Sequence, residues 1–212
     1  MSHEFGTHVN YQSENTSEEF DLNQFQQENQ PENYNPSQQE IMQMCPLAFK
    51  LQVTDENNSV LDAYKQKIAE RNNMTDAHPD SGFDLFVPDN ITIQPKSIEL
   101  IDLKVKCALT LRNPQDPTSN DVQYLPYYLY ARSSVTKKGI MLANSVGIID
   151  AGYRGTLKAG FYNTKDEPVH IKAGDRLVQL CMPALEPFYR VELVDSLNET
   201  TRGEGGFGST GN

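Results

Sequence analysis

An all-β sandwich or jelly roll carrying one short helix is the fold class this sequence predicts, on three observations. Short apolar segments with period-two alternation recur from residue 46 onward. Gly, Pro, Asn and Asp separate them at intervals suited to a sandwich or barrel. Pro95, Pro114, Pro117, Pro126, Pro168, Pro183 and Pro187 fit strand ends and loops better than central strands. No internal repeat is visible.

The elements follow in order. Residues 1–45 hold 8 Gln and 6 Asn among many acids, with scattered Phe, Tyr and Leu. Such a segment buries too little apolar surface to offset its ordering entropy, so it is predicted to be a disordered tail, either solvated or used for partner docking or localisation. Structure begins near Pro46. In Ala48–Thr54, Phe49, Leu51 and Val53 alternate with Lys50, Gln52 and Thr54, a half-buried strand. Ser59 and Asp62 resemble a capping box ahead of Leu61, Tyr64 and Ile68, which share one helical face. A helix is expected over about 60–71. Ile101, Leu103, Val105, Cys107, Leu109 and Leu111 then alternate with Asp102, Lys104, Lys106, Ala108 and Thr110, predicting one buried and one wet face. Tyr127–Tyr130, Val146–Ile149, Thr156–Asn163, Val169–Ile171, Leu177–Met182 and Tyr189–Val194 are further strand candidates. Residues 201–212 are Gly-rich enough to predict a flexible C-terminal arm. The expected organisation is a tail over 1–45, a β domain over 46–200 and the arm.

Composition narrows the function classes. Residues 1–79 carry 13 acids against 4 bases, whereas residues 80–212 carry 16 against 14. An acidic chain without a basic stripe is poorly suited to gripping nucleic acid, but a small anion held by a few placed groups fits. No apolar run approaches 18 residues, so no membrane span is expected. The polar, acidic first thirty residues do not read as a secretory signal. Cys45, Cys107 and Cys181 suggest neither a disulfide framework nor a zinc site, and a reducing intracellular compartment, cytoplasmic or nuclear, is the expectation.

Four stretches carry chemistry. Arg132, Ser133 and Ser134 follow an aromatic strand and offer a planar guanidinium and two hydroxyls to phosphate oxygens, although Arg-Ser-Ser is also an ordinary loop sequence. In residues 144–155, an apolar strand ends in Asp150, turns through Ala151-Gly152, and presents Tyr153 and Arg154 before Gly155. A carboxylate at a strand end suits a general base for water. Tyr153 can lie against a ligand ring, and Asn144 can read one edge of a base. A hairpin with Asp150 as an Asx-turn residue and Tyr153 in the core fits the same residues. Asp175 and Arg176 read as a charge-paired turn before a strand in which Gln179 needs a polar partner, a phosphate or a backbone carbonyl. In the arm, Arg202, Phe207, Gly208, Ser209 and Thr210 combine a cation, a stacking ring, backbone amides and hydroxyls on a flexible ribbon.

With Asp80-Ser81-Gly82-Phe83-Asp84-Leu85 upstream, these stretches closely resemble the five ordered motifs of the trimeric dUTPase family (deoxyuridine 5′-triphosphate nucleotidohydrolases), over about residues 80–211. Residues 147–155 and 202–211 are the most specific. The resemblance implies a jelly roll, a homotrimer with shared active sites, and hydrolysis of dUTP to dUMP and pyrophosphate. It implies that Arg132, Ser133, Ser134 and Gln179 bind phosphates, and that Asn144, the backbone of Gly147, Ile148 and Ile149, and Lys158 read uracil. Tyr153 would pack on the deoxyribose and Asp150 would orient the water. Arg202, Ser209 and Thr210 would reach the γ end, with Gly208 beside them and Phe207 over the base, in a neighbouring site. Asp84 would stand near Mg²⁺ without ligating it, the phosphates themselves holding the ion. Two departures stand out: Gly152 replaces an acid common in relatives, and the approach from Asp55 to Asp80 is longer than usual. A dCTP deaminase of the same fold would need a catalytic Glu instead of the Asp-x-x-Tyr-Arg-Gly arrangement. A dUTPase-like interaction protein would use the Gln/Asn-rich tail for contacts.

Overall fold

The computed structural model describes residues 46–76, 78–113 and 122–205, so the calls on the 1–45 tail and on Phe207, Gly208, Ser209 and Thr210 lie outside the described residues. The described chain is predominantly β and adopts the all-β jelly-roll class that the alternation predicts. Strand β1 (Leu47–Val53) leads to helix α1 (Leu61–Asn72), then β2 (Phe83–Phe86), β3 (Ile91–Ile93), β4 (Ile98–Asp102) and β5 (Val105–Arg112). After β6 (Val122–Leu125) and β7 (Tyr127–Ala131) come a four-residue helix α2 (Val135–Lys138), β8 (Ile140–Leu142) and β9 (Val146–Ile149). Strands β10 (Lys158–Asn163), β11 (Val169–Ile171), β12 (Arg176–Cys181) and β13 (Val191–Leu193) complete the order. They form sheets β13-β1-β5-β6, β4-β10-β8, β11-β3 and β2-β12-β7-β9.

One contiguous core joins these sheets. Phe49, Leu51, Phe83, Leu85, Ile93, Leu109, Leu129 and Phe161 are buried within it, each contributing about 1.5–3 kcal/mol by full burial. The sequence places them inward by simple alternation, as in β10, where Ala159, Phe161 and Asn163 all face in. Asn163 is the informative member, a fully buried amide. Its Nδ2 donates to the Ile93 and Glu167 carbonyls, and its Oδ1 accepts the Lys165 amide, so the polar group is satisfied.

Helix α1 forms where expected, with Tyr64 and Ile68 on the buried side. The expected capping box does not form. Val60 holds the N-cap position without a side-chain bond, because the Ser59 hydroxyl donates instead to the Asp55 carboxylate at 2.6 Å. The Tyr64 hydroxyl accepts the Phe86 amide, which docks the helix on β2. At the far end, Asn72 donates to the Val191 carbonyl and accepts the Val191 amide, occupying the backbone of β13 as a strand would.

The ladder expected to run unbroken from Ile101 to Leu111 divides into β4 and β5, which belong to different sheets. Lys104 adopts a left-handed φ of 50° at the break, and Asp102 accepts its amide. The inward alternation survives the break, which is why periodicity alone reads it as one strand. Its second face is not uniformly wet either. Ala108 and Thr110 are buried, and the Thr110 hydroxyl donates across to the Ala48 carbonyl of the neighbouring β1. Strands β2, β3, β6 and β8 and helix α2 were not anticipated from the sequence. They are short, and α2 makes the helices two among the described residues, not one.

Candidate active site

The expected site residues fall into two groups at opposite ends of β7. The first group forms where β2, β12 and β7 run side by side. Gln179 lies opposite Asp84 on one flank and Tyr130 on the other, and Arg132 follows just beyond the end of β7. Arg132 Nε meets Asp84 Oδ1 at 2.8 Å, and Arg176 Nη1 meets Asp84 Oδ2 at 3.1 Å. Lys67, from α1, approaches the same oxygen at 3.6 Å. One nearly buried carboxylate therefore gathers three cations. Arg176 thereby departs from the expected pairing with Asp175. Asp175 instead accepts the Lys172 amide and the Lys138 ammonium. Burial pushes the Asp175 carboxyl upward, but those two partners hold it below its ordinary value.

A cleft of about 740 Å³ opens over this group, lined among others by Lys67, Asp84, Arg132, Ser133 and Gln179. Gln179 finds a backbone partner, the Ala131 carbonyl, but at a long 3.5 Å. Its amide lies over Gly82, where a β-carbon would come within 2.0 Å of Gln179 Oε1. Glycine in the Ser81-Gly82-Phe83 stretch thus gives the glutamine its seat. Ser133 is exposed at the cleft rim, whereas Ser134 serves as the N-cap residue of α2.

The second group surrounds the turn after β9. Among the described residues β9 is the edge strand of its sheet, pairing only with β7, so its outward backbone N–H and C=O groups face away from the sheet, where a ligand can meet them. Asn144, exposed, precedes this strand at the Tyr130 end of β7 and so stands on the side of the first group, and Gly147 lets β9 lie close to Leu129. Ile148 points into solvent and Ile149 is partly buried. Asp150 ends the strand with a half-exposed carboxylate, and the Asp150 carbonyl accepts the Tyr153 amide at 3.0 Å to close the turn. Arg154, buried, donates Nη1 to the Ala151 and Tyr153 carbonyls, bonds Asn198, and lies over the Tyr124 ring at 4.6 Å. That guanidinium, whose role sequence reasoning left unassigned, rivets the turn that carries Asp150.

Tyr153 meets the core expectation in part. Its ring packs partly on the core while its hydroxyl donates to the Thr156 carbonyl. Burial, assisted by the charges of Asp102 and Glu204, pushes this phenol above its ordinary value, so it stays neutral. Lys158 lies close by, 4.0 Å from Asp102. Arg202 reaches this group and not the phosphate-type cleft: its Nη2 meets Asp150 Oδ2 at 2.8 Å. The arm base is further held by the Arg154 amide donating to the Gly203 carbonyl and by Lys106 pairing with Glu204.

The two groups are separated by the length of β7, since Tyr127 pairs with Ile149 at one end and Tyr130 with Val146 at the other. Five extended residues span on the order of 15 Å. Asp150 and Arg132 of one chain thus face different places.

The chain is similar to known proteins over much of this β domain. The Clostridium kluyveri protein described as deoxyuridine 5′-triphosphate nucleotidohydrolase is 38% identical over 133 residues, 62% of this chain and 84% of that protein. The same description applies to an Escherichia phage T5 protein, 45% identical over 80 residues. That match spans 38% of this chain and about half (54%) of the phage protein. Among solved structures, the Streptococcus mutans dUTPase is 32% identical, covering 56% of this chain and 88% of that one, with a TM-score of 0.40. Residues 71–211 match the dUTPase family model, and the chain belongs to the dUTPase family.

Proposed function

We propose that this protein hydrolyses dUTP to dUMP and pyrophosphate, with Asp150 as the general base. One observation carries the reading. Asp150 projects from the end of an edge strand on a turn locked by Arg154, directly beside the seated ring of Tyr153. Uracil would pair with the outward backbone of Gly147–Ile149 and with Asn144 and Lys158. The deoxyribose would lie on Tyr153. Asp150 takes a proton from water, the water oxygen bonds to the α-phosphorus, and the bond to the α,β-bridging oxygen breaks. Pyrophosphate leaves with that electron pair.

Specificity follows from the same parts. The Tyr153 ring is fixed at its hydroxyl and on the core, so a 2′-hydroxyl has no room. Cytosine would set donors against donors on the strand edge, and unpaired buried groups discriminate strongly. Arg132, Ser133 and Gln179 would receive the phosphates. Ser134 stands one residue farther and extends the same loop. In turn, moving Arg202 from Asp150 toward the phosphates would free the carboxylate, with Phe207, Gly208, Ser209 and Thr210 following as the arm closes.

Magnesium enters as part of the substrate, bound to triphosphate oxygens. No three His, Cys, Asp or Glu side chains converge as a metal cage among the described residues, and both Asp84 oxygens face cations. Asp84 would then orient Arg132 and stand near the ion without ligating it.

The 15 Å separation supports a site shared between chains, as in a homotrimer. An apolar outer face supports the same assembly: Ile98, Leu100 and Met141 are about half exposed or more on the sheet of β4, β10 and β8.

Pyrophosphate release tests the proposal with dUTP, UTP, dCTP and dTTP as substrates. Rapid turnover is expected for dUTP alone. Asp150→Asn should lower kcat by about 10²–10⁴-fold with little change in binding of a non-hydrolysable imido analogue. Near-normal turnover in that variant would remove Asp150 from the mechanism.

A further inference from the structure

Helix α1 is not part of the family likeness over most of its length, since the matched residues begin at 71. It nonetheless delivers a side chain into the phosphate-type cleft. Lys67 lines that cleft beside Arg132, Ser133 and Gln179. Its ammonium lies over the Phe83 ring, with Nζ 5.3 Å from the centroid. The helix is tied in place there from both sides. Arg71 donates to the Asp80 and Gly82 carbonyls at 2.7 Å, and Tyr64 accepts the Phe86 amide.

The charge distribution shows what Lys67 lacks. Its ion-pair partner among the described residues is Asp84, at 3.6 Å, on an oxygen that Arg176 already approaches at 3.1 Å. Arg132 takes the other oxygen. Three cations on one carboxylate leave positive charge in excess. Glu70 and Asp80 also line the cleft, but Glu70 accepts a hydrogen bond from Gln66 and neither lies within ion-pair distance of Lys67. Lys67 is also largely desolvated, its side chain only 20% exposed. An ammonium has three donors, and one long contact to a shared oxygen leaves most of that capacity unused. An incoming polyanion would supply the missing acceptors.

We infer that Lys67 is a substrate-binding residue supplied by α1, contacting the nucleotide's phosphates beyond the α-phosphate. The inference rests on the dUTP pyrophosphatase reading and adds a residue to it. Asp84 holds Lys67 and Arg132 poised on the cleft wall, and the phosphates take over both cations. The nucleoside end, read from the β9 edge, is unaffected.

Inhibition constants separate this role from a merely structural one. In the full-length protein with dUTP as substrate, Lys67→Met is expected to raise KM and the inhibition constant of inorganic pyrophosphate about tenfold, the scale of one charged hydrogen bond. Inhibition by dUMP, which has only the α-phosphate, should stay unchanged, and Lys67→Arg should restore most of the pyrophosphate affinity. An unaltered pyrophosphate constant in Lys67→Met overturns the inference. So does a parallel loss of dUMP affinity, which would mean general distortion. Failure of the wild-type protein to hydrolyse dUTP would instead overturn the underlying reading, while direct pyrophosphate binding to wild type and Lys67→Met would still report on Lys67.

Discussion

At the scale of single residues, the site depends on side chains that act by being immobile. A β-carbon on Gly155 would fall 2.4 Å from the Tyr153 hydroxyl and 2.7 Å from the ring carbon that bears it. That ring cannot yield easily, because its other side rests on the core and its hydroxyl is bonded to Thr156. Gly155→Ala should therefore tilt the ring, lowering kcat/KM for dUTP by about 10²-fold, the cost of misplacement near 1 Å. Discrimination against UTP should narrow at the same time, and parallel kcat/KM measurements on both nucleotides check this. The sequence displayed Gly155 within a motif but could not say what it makes room for. Arg154 was similarly visible and opaque. Its partners Ala151, Asn198 and Tyr124 converge only after folding, and no spacing rule links residues 124, 154 and 198. Asp150, Arg132 and Gln179 were legible as chemistry because their types are costly to leave without a polar role, but not as two separate groups.

At the scale of elements, α1 owes its start to a loop carboxylate. Asp55 accepts the Ser59 hydroxyl at 2.6 Å, the Ser59 amide at 2.7 Å and the Asn57 amide at 3.3 Å, with Lys104 at 3.7 Å. The Ser59 hydroxyl bond is the largest of the effects on this carboxyl. With the amides and Lys104 it outweighs burial and holds the group below its ordinary value. A carboxyl lowered on folding adds stability above its unfolded value, near 3.8, and loses it as the pH falls through the lower folded value. Asp55→Asn should cost about 1–3 kcal/mol at neutral pH, the usual penalty for breaking buried bonds to a charged group. The difference from wild type should shrink below about pH 4. Urea unfolding at pH 7 and pH 3 measures both. The helix bounds were readable within a residue because apolar spacing and flanking polar residues agree there. Its cap was misread because Ser59 faces Asp55, a loop neighbour that periodicity ignores. The break at Lys104 was hidden for the opposite reason: period-two burial continues even as the chain passes from one sheet to another.

For the whole molecule, the question is which parts of different chains meet. Arg132 and Asp150 stand at opposite ends of β7, so the proposed reaction, which uses both, draws each site from two copies. Co-refolding inactive Arg132→Ala chains with inactive Asp150→Asn chains should restore activity, since a mixed neighbour pair can contribute one intact half each. In a ring closed head to tail, random mixing leaves about a quarter of the sites whole. Turnover of the mixture against each parent is the measurement, and no recovery would mean that both halves come from one chain. Assembly was the level least legible in residue patterns. Ile98, Leu100 and Met141 occur in ordinary strand segments, and only the sheet shows that they gather on an uncovered face.

The parallel pairing of β1 with β13, Phe49 beside Val191 and Leu51 beside Leu193, joins the two ends of the β domain. Such distant partners make folding wait on synthesis, because β1 leaves the ribosome long before its neighbour exists. Until then its outer hydrogen-bonding groups stay open to any other extended chain. A message broken ahead of codon 191 would thus yield material for aggregation or proteolysis in place of a weakened enzyme, and cells carrying it would gain no partial activity.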